Sequence, residues 1–243
     1  MNNTQRDIYV YADWTDSPDP VLMGTLHAER KRGNETFSFE YEKLWLESEY
    51  AADIDPDLHL YHGQQFVLDP EKINFGVFTD SCPDRWGRIL MHRREVELAK
   101  RENRIAKTVF ESDYLLGVYD LNRMGALRFK TDINGEFQNS NHEMAAPPWA
   151  SIRELQDASL RLESDNSVDQ SDYLNLLNLL IAPGSSLGGA RPKAGIVDDK
   201  GHPWIEKFPS KNDEFNIGAW EIVVNELAQK AGLNVAEFMA VKF

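Results

Sequence analysis

The run Gly184-Ser185-Ser186-Leu187-Gly188-Gly189-Ala190-Arg191-Pro192-Lys193 constrains the fold more than any other part of the chain. It follows an apolar stretch with helical spacing, carried by Tyr173, Leu176, Leu177, Leu179, Leu180 and Ile181, and it precedes the short strand pattern Ala194-Gly195-Ile196-Val197. Backbone N–H groups reach an anion only where no Cβ intervenes, and glycine permits the positive φ values that aim successive amides at one point. A phosphate-binding loop between helix and strand fits this order; a glycine-rich surface turn is the plainer alternative. The run is not a Walker A loop, because Gly184 and Gly189 have the required spacing but Ala190 stands where lysine is needed.

Downstream, Asp198-Asp199-Lys200-Gly201 reads as a turn and Trp204-Ile205-Glu206-Lys207-Phe208 as a returning strand ended by Pro209. Asn216 then caps a predicted helix with the apolar stripe Trp220, Val223, Val224, Leu227, Ala228 and Ala231, and Gly232 takes the position after its end. Glu221 lies in the early turns of that helix. A glycine-rich loop, a strand lysine and a helix glutamate that pairs with it are the nucleotide-binding parts of a protein kinase. Taken singly, Lys207 is equally an edge-strand lysine that discourages aggregation, and Glu221 a solvated acid near a helix start.

Four ordered motifs make the pattern more specific: Pro83-Asp84-Arg85-Trp86-Gly87-Arg88, Gly125-Ala126-Leu127-Arg128-Phe129, Gly188-Gly189-Ala190-Arg191-Pro192-Lys193 and Glu206-Lys207-Phe208-Pro209. From about residue 7 to its end the chain resembles the HipA family of serine/threonine kinases, which serve as toxins in toxin–antitoxin modules. The resemblance implies an ATP-binding N-lobe in which Gly188, Gly189, Ala190 and Lys193 belong to the mobile phosphate loop, with Lys207 on the phosphates and Glu221 as its ion-pair partner. It further implies autophosphorylation at Ser186, with the adjacent Ser185 as the alternative. A phosphate there adds roughly −1.5 to −2 charge beside the nucleotide, so self-modification would act as an off switch. The implied partners are a helix-turn-helix antitoxin of HipB type, which carries the DNA contact, and a protein substrate related to translation such as an aminoacyl-tRNA synthetase.

The departure from the family is at the back. A kinase carries its catalytic aspartate and its Mg²⁺ ligands on a C-terminal lobe after these elements, whereas this sequence stops at Val241-Lys242-Phe243. The expectation is therefore the front portion of a longer kinase or a truncated product, with no catalytic residue of its own and with ATP and Mg²⁺ as the family's cofactors. The competing class is a non-catalytic module that engages an antitoxin or a full-length partner.

Net charge −14 with a pI near 4.9 argues against a broad nucleic-acid face. Arg85, Arg88, His92, Arg93, Arg94, Lys100, Arg101, Arg104 and Lys107 cluster on and after one predicted helix, but Glu95, Glu97 and Glu102 interleave with them, which favours a solvated face. Cys82 is the only cysteine, so no internal disulfide forms and a reducing cytoplasm fits. The N-terminus lacks a signal pattern, and no run approaches the ~18 apolar residues of a membrane span. His59 and His62 are spaced for little more than surface chemistry, and no metal set stands out.

The fold class expected is α+β. Residues 1–135 form a small N-terminal subdomain, with strands at 8–14, 21–26, 36–41 and 125–130 and helices at 84–101 and 109–118. Trp86 reads as a core anchor, with its polar neighbours fixing a turn. Residues 149–243 form a kinase-like N-lobe, with helices at 150–164 and 169–182, then the hairpin and the helix after Asn216. The polar, proline-bearing stretch 134–148 separates the two.

Overall fold

A computed structural model describes residues 4–140, 151–164, 170–184 and 188–241. The class is α+β: a five-stranded antiparallel sheet, a separate two-stranded hairpin and, among the described residues, seven α-helices. Strands β1 (Thr4–Ala12), β2 (Val21–Lys31) and β3 (Asn34–Tyr41) form a meander; β4 (Gln65–Phe66) adds to the β3 edge and β5 (Leu127–Lys130) to the β1 edge.

Side chains alternate across a strand, so every second residue of the meander can face one core. Ile8, Val10 and Ala12 do so on β1, Leu26 and Ala28 on β2, and Phe37, Phe39 and Tyr41 on β3, all buried. Strands β2 and β3 run past the predicted 21–26 and 36–41. Ala28 continues the inward alternation through the charged run around it, and Arg32 and Gly33, at φ 53° and 86°, close a primed turn whose twist matches the strands. A bulge between Val10 and Tyr11 shifts the β1–β2 register, and beside it Gly24 lies so close to β3 that a Cβ would meet the Glu40 carbonyl oxygen at 2.3 Å.

Three short helices cover the inner face: α1 (Lys43–Leu46) with Trp45, α2 (Gly76–Asp80) with Phe78, and α4 (Glu111–Gly117) with Leu115 and Leu116. Phe78 packs between Phe39 and Phe129, at centroid distances of 5.3 and 6.4 Å. Arg30 ties the β2–β3 turn to α4, bonding Glu35 at 2.9 Å and Asp113 at 2.8 Å while its guanidinium lies over the Phe110 ring.

Helix α3 (Arg85–Arg101) lies ahead of residues 134–148, yet it packs with what comes after them. Its Trp86 and Leu90 enter a second core built from Ile152, Leu155, Ala158 and Leu162 of α5 (Ile152–Glu163) and Leu177, Leu180 and Ile181 of α6 (Gln170–Gly184). Ala194 and Ile196 of β6 (Lys193–Val197) and Phe208, just after β7 (Pro203–Lys207), complete it. The same helix is fastened to the first core by Arg88, whose guanidinium bonds both Glu111 oxygens, at 2.5 and 2.8 Å. Basic residues on and just after it are engaged as well: Arg104 pairs with Glu95 and Glu102, Arg101 with Glu97, and Arg93 donates to the Leu162 carbonyl.

Helix α7 (Ile217–Lys230) starts as its sequence predicts, with the Asn216 side chain accepting the Ala219 N–H at 2.9 Å, and Gly232 follows its end at φ 79°. Its apolar stripe, however, is bare. Trp220 and Leu227 are each 59% exposed, and no residue of the helix is buried. No described helix is long and apolar enough to cross a membrane.

Candidate functional site

The hairpin β6–β7 organises the site. Asp198 closes its turn, accepting backbone N–H bonds from Lys200 at 2.9 Å and His202 at 2.8 Å, and these bonds with the His202 ring hold its carboxyl down at about 2. One face of the hairpin sends Ala194 and Ile196 into the second core. The opposite face carries Lys193 and Lys207, which are direct cross-strand partners. Directly opposed residues share a face and have Cβ atoms roughly 5 Å apart.

Lys207 meets the glutamate that the sequence assigns to it. Its Nζ lies 3.0 Å from both Oε1 and Oε2 of Glu221, in a pair that is about half exposed. Strand register and the Asn216 cap together set this geometry, because the cap fixes which turn of α7 faces β7.

Lys193 is placed differently. It is buried, its Nζ donates to the Gly188 carbonyl, and its pKa is lowered by desolvation and then by the Lys207 charge. Gly189 lies in the left-handed region at φ 91°, where a Cβ would come within 2.8 Å of the Lys193 ammonium. Glycine at 189 therefore keeps open the approach to both a backbone amide and an ammonium group. Ala190 is exposed in the turn that follows.

Arg191 forms a two-pronged pair with Asp213, at 2.5 and 2.7 Å, and Asp213 also accepts the Ser210 N–H at 3.0 Å. This pair fastens the end of the glycine segment to the loop that leads into α7, and it holds the Asp213 carboxyl below the ordinary range. A last contact comes from the start of α3. The Asp84 carboxylate accepts the Gly189 N–H at 2.5 Å, and the Trp86 N–H donates to the Gly189 carbonyl at 3.3 Å.

Of the residues singled out from sequence, Gly188, Gly189, Lys193, Lys207 and Glu221 thus gather at one end of the hairpin. Ser185 and Ser186 lie outside the described residues. Sequence reasoning missed the Arg191–Asp213 pair and the contact from Asp84. Asp84 belongs to the Pro83–Arg88 motif, but nothing local in that motif points to a glycine 105 positions away.

The arrangement brings two lysines to one face of the hairpin, with Glu221 paired to Lys207 and Asp84 near Lys193. One buried ammonium, one half-exposed ammonium and a glycine amide that no Cβ shields make a set of donors suited to a phosphate group. Among the described residues no cluster of three or more His, Cys, Asp or Glu side chains is arranged to hold a metal ion. Compared with known proteins, the chain matches no protein-family profile and no curated protein.

Proposed function

We propose that the hairpin, the glycine segment and α7 form the phosphate-binding side of an ATP site, in the manner of the HipA-like serine/threonine kinases that the sequence motifs resemble. The observation that carries this reading is the Lys207–Glu221 pair, 3.0 Å to each carboxylate oxygen, with lysine on a strand, glutamate on the following helix and the glycine segment just upstream. A kinase lysine on the α/β-phosphates is held by a helix glutamate in the same way. Lys193 and the Gly189 amide would supply further phosphate contacts, and Mg²⁺ would arrive with the nucleotide, adding charge neutralisation at its phosphates.

The bare stripe of α7 fits the same reading, since an apolar face of this kind is what a second lobe would cover. That lobe would bring the catalytic aspartate and the metal ligands. Phosphorylation of Ser186, or of Ser185, would then regulate nucleotide access, in a cytoplasmic toxin with a translation-related protein target. The exposure of Trp220, Val224 and Leu227 also favours a second reading, in which this face engages a helix-turn-helix antitoxin or a full-length partner without catalysis.

Calorimetric titration with MgATP tests the site. Wild-type protein is expected to bind, Lys207→Ala to lose most of the affinity, and Glu221→Gln to weaken it less. Binding by Lys207→Ala equal to that of the wild type would overturn the assignment.

A further inference from the structure

Asp84 occupies the N-cap position of α3, where an aspartate ordinarily accepts an N–H from the first turn of its own helix. Its backbone has the extended geometry of a cap, φ −76° and ψ −174°, but its side chain makes no capping bond. The carboxylate instead reaches across to the Gly189 N–H at 2.5 Å, and Oδ2 lies 3.4 Å from where a Cβ on Gly188 would stand. Its charge is also felt at the Lys193 ammonium, whose protonated form it favours. Two residues on, the Trp86 N–H holds the Gly189 carbonyl, so the peptide groups on both sides of Gly189 are gripped by the start of α3. Trp86 is itself anchored in the second core.

An anionic oxygen that accepts a glycine-loop amide beside a lysine does what a phosphate oxygen would do there. We infer that Asp84 is a built-in competitor for the nucleotide phosphate: its carboxylate takes the Gly189 amide in the resting protein, and the amide becomes available only when the contact opens. The inference rests on the ATP-site reading above and adds a control to it. The start of α3 acts as a latch on the glycine segment, and whatever shifts α3 shifts the availability of the site. A ligand whose site is open for only a fraction of the time binds with an apparent Kd raised by the inverse of that fraction, so a latch closed about nine-tenths of the time weakens binding about tenfold.

The test compares MgATP affinity in wild type, Asp84→Asn, Asp84→Ala and Lys207→Ala, with Gly189 amide exchange followed by NMR in each. Asp84→Asn keeps the size and capping ability of the side chain and removes its charge, so it keeps a folding-competent variant in the series. The expected result is ATP binding about tenfold tighter in both Asp84 variants, with faster Gly189 exchange in Asp84→Ala. Equal or weaker binding in both Asp84 variants, with Lys207→Ala still defective, would remove the latch and leave the ATP site standing. No binding in any of the proteins, the Asp84 variants included, would overturn both, since removing a competing anion must leave a usable site.

Discussion

Lys193 and Lys207 face each other directly across the hairpin, but their ammonium groups have unlike partners: the Glu221 carboxylate for Lys207, the Gly188 carbonyl for Lys193. Only one of the two is balanced by a paired carboxylate, and the unbalanced one is the buried one. Like charges on neighbouring strands repel, and burial adds a desolvation cost.

An anion placed between the two lysines would relieve both effects. Tripolyphosphate, or ATP without metal, is therefore expected to raise the melting temperature of the wild type, by an amount that grows with concentration as binding linkage requires. Lys193→Met, which keeps the length of the side chain without its charge, is expected to match or exceed the wild type in phosphate-free, low-salt buffer and to lose the anion-dependent rise. A rise that persists undiminished in Lys193→Met would place the anion elsewhere. Differential scanning fluorimetry gives both numbers.

At Gly24 the sheet tolerates no side chain. A Cβ would sit 2.3 Å from the Glu40 carbonyl oxygen and 2.5 Å from the Phe39 ring. Overpacking of this kind costs about 1–3 kcal/mol, so Gly24→Ala should lower the melting temperature by several degrees, at roughly 2–4 °C per kcal/mol in a chain of this size. An unchanged melting temperature would mean that β2 and β3 are further apart than described.

Acid stability has a specific contributor in Glu95. Arg104 and the Lys107 N–H hold its carboxyl down at about 2. A carboxyl that titrates lower when folded than when unfolded stabilises the protein fully above the ordinary glutamate pKa of about 4.3, and that contribution disappears as the pH falls from there through the folded value. Glu95→Gln removes the titration, so its urea midpoint should depend less steeply on pH between about 4.5 and 2 than that of the wild type. Parallel curves for the two proteins would mean that the pair does not persist in solution.

The bare face of α7 makes a prediction of the opposite kind. Trp220 and Leu227 are each 59% exposed, so Trp220→Ser and Leu227→Ser remove little packing from this chain. Surface changes of this sort stay within about ±0.5 kcal/mol. Both variants should melt with the wild type while binding less of a dye such as ANS that reports exposed apolar surface. A drop of several degrees would show that the stripe is already covered.

What was legible in the sequence was mostly local. Asn216 and Gly232 bracket α7 because caps act within a turn of themselves, and alternation together with Pro209 marked the returning strand that carries Lys207. The Lys207–Glu221 pair was what the family resemblance implied, between a strand and a helix legible in the sequence and fourteen positions apart. Short elements whose form depends on tertiary packing left no such mark: α1, α2 and β4 are held by Trp45, Phe78 and the β3 edge rather than by periodicity. The far end of β2 was hidden because Ala28 stands between His27 and the charged run Glu29-Arg30-Lys31. Asp84 stands at the cap position of α3, yet its carboxylate serves another segment. Residue type and spacing define the offer of a hydrogen bond, and the fold decides who takes it.

The placement of α3 also determines how the chain can be divided. Suppose it is broken between residues 140 and 151 and the two pieces are made separately. The first piece then carries Trp86 and Leu90 with nothing to bury them, and the second carries a core that lacks one wall. Each large apolar side chain left in water forgoes about 1.5–3 kcal/mol, so the first piece keeps its own core but is weakened, and the second lacks what the first supplies. The two halves should therefore associate on mixing, with the second gaining most from its partner.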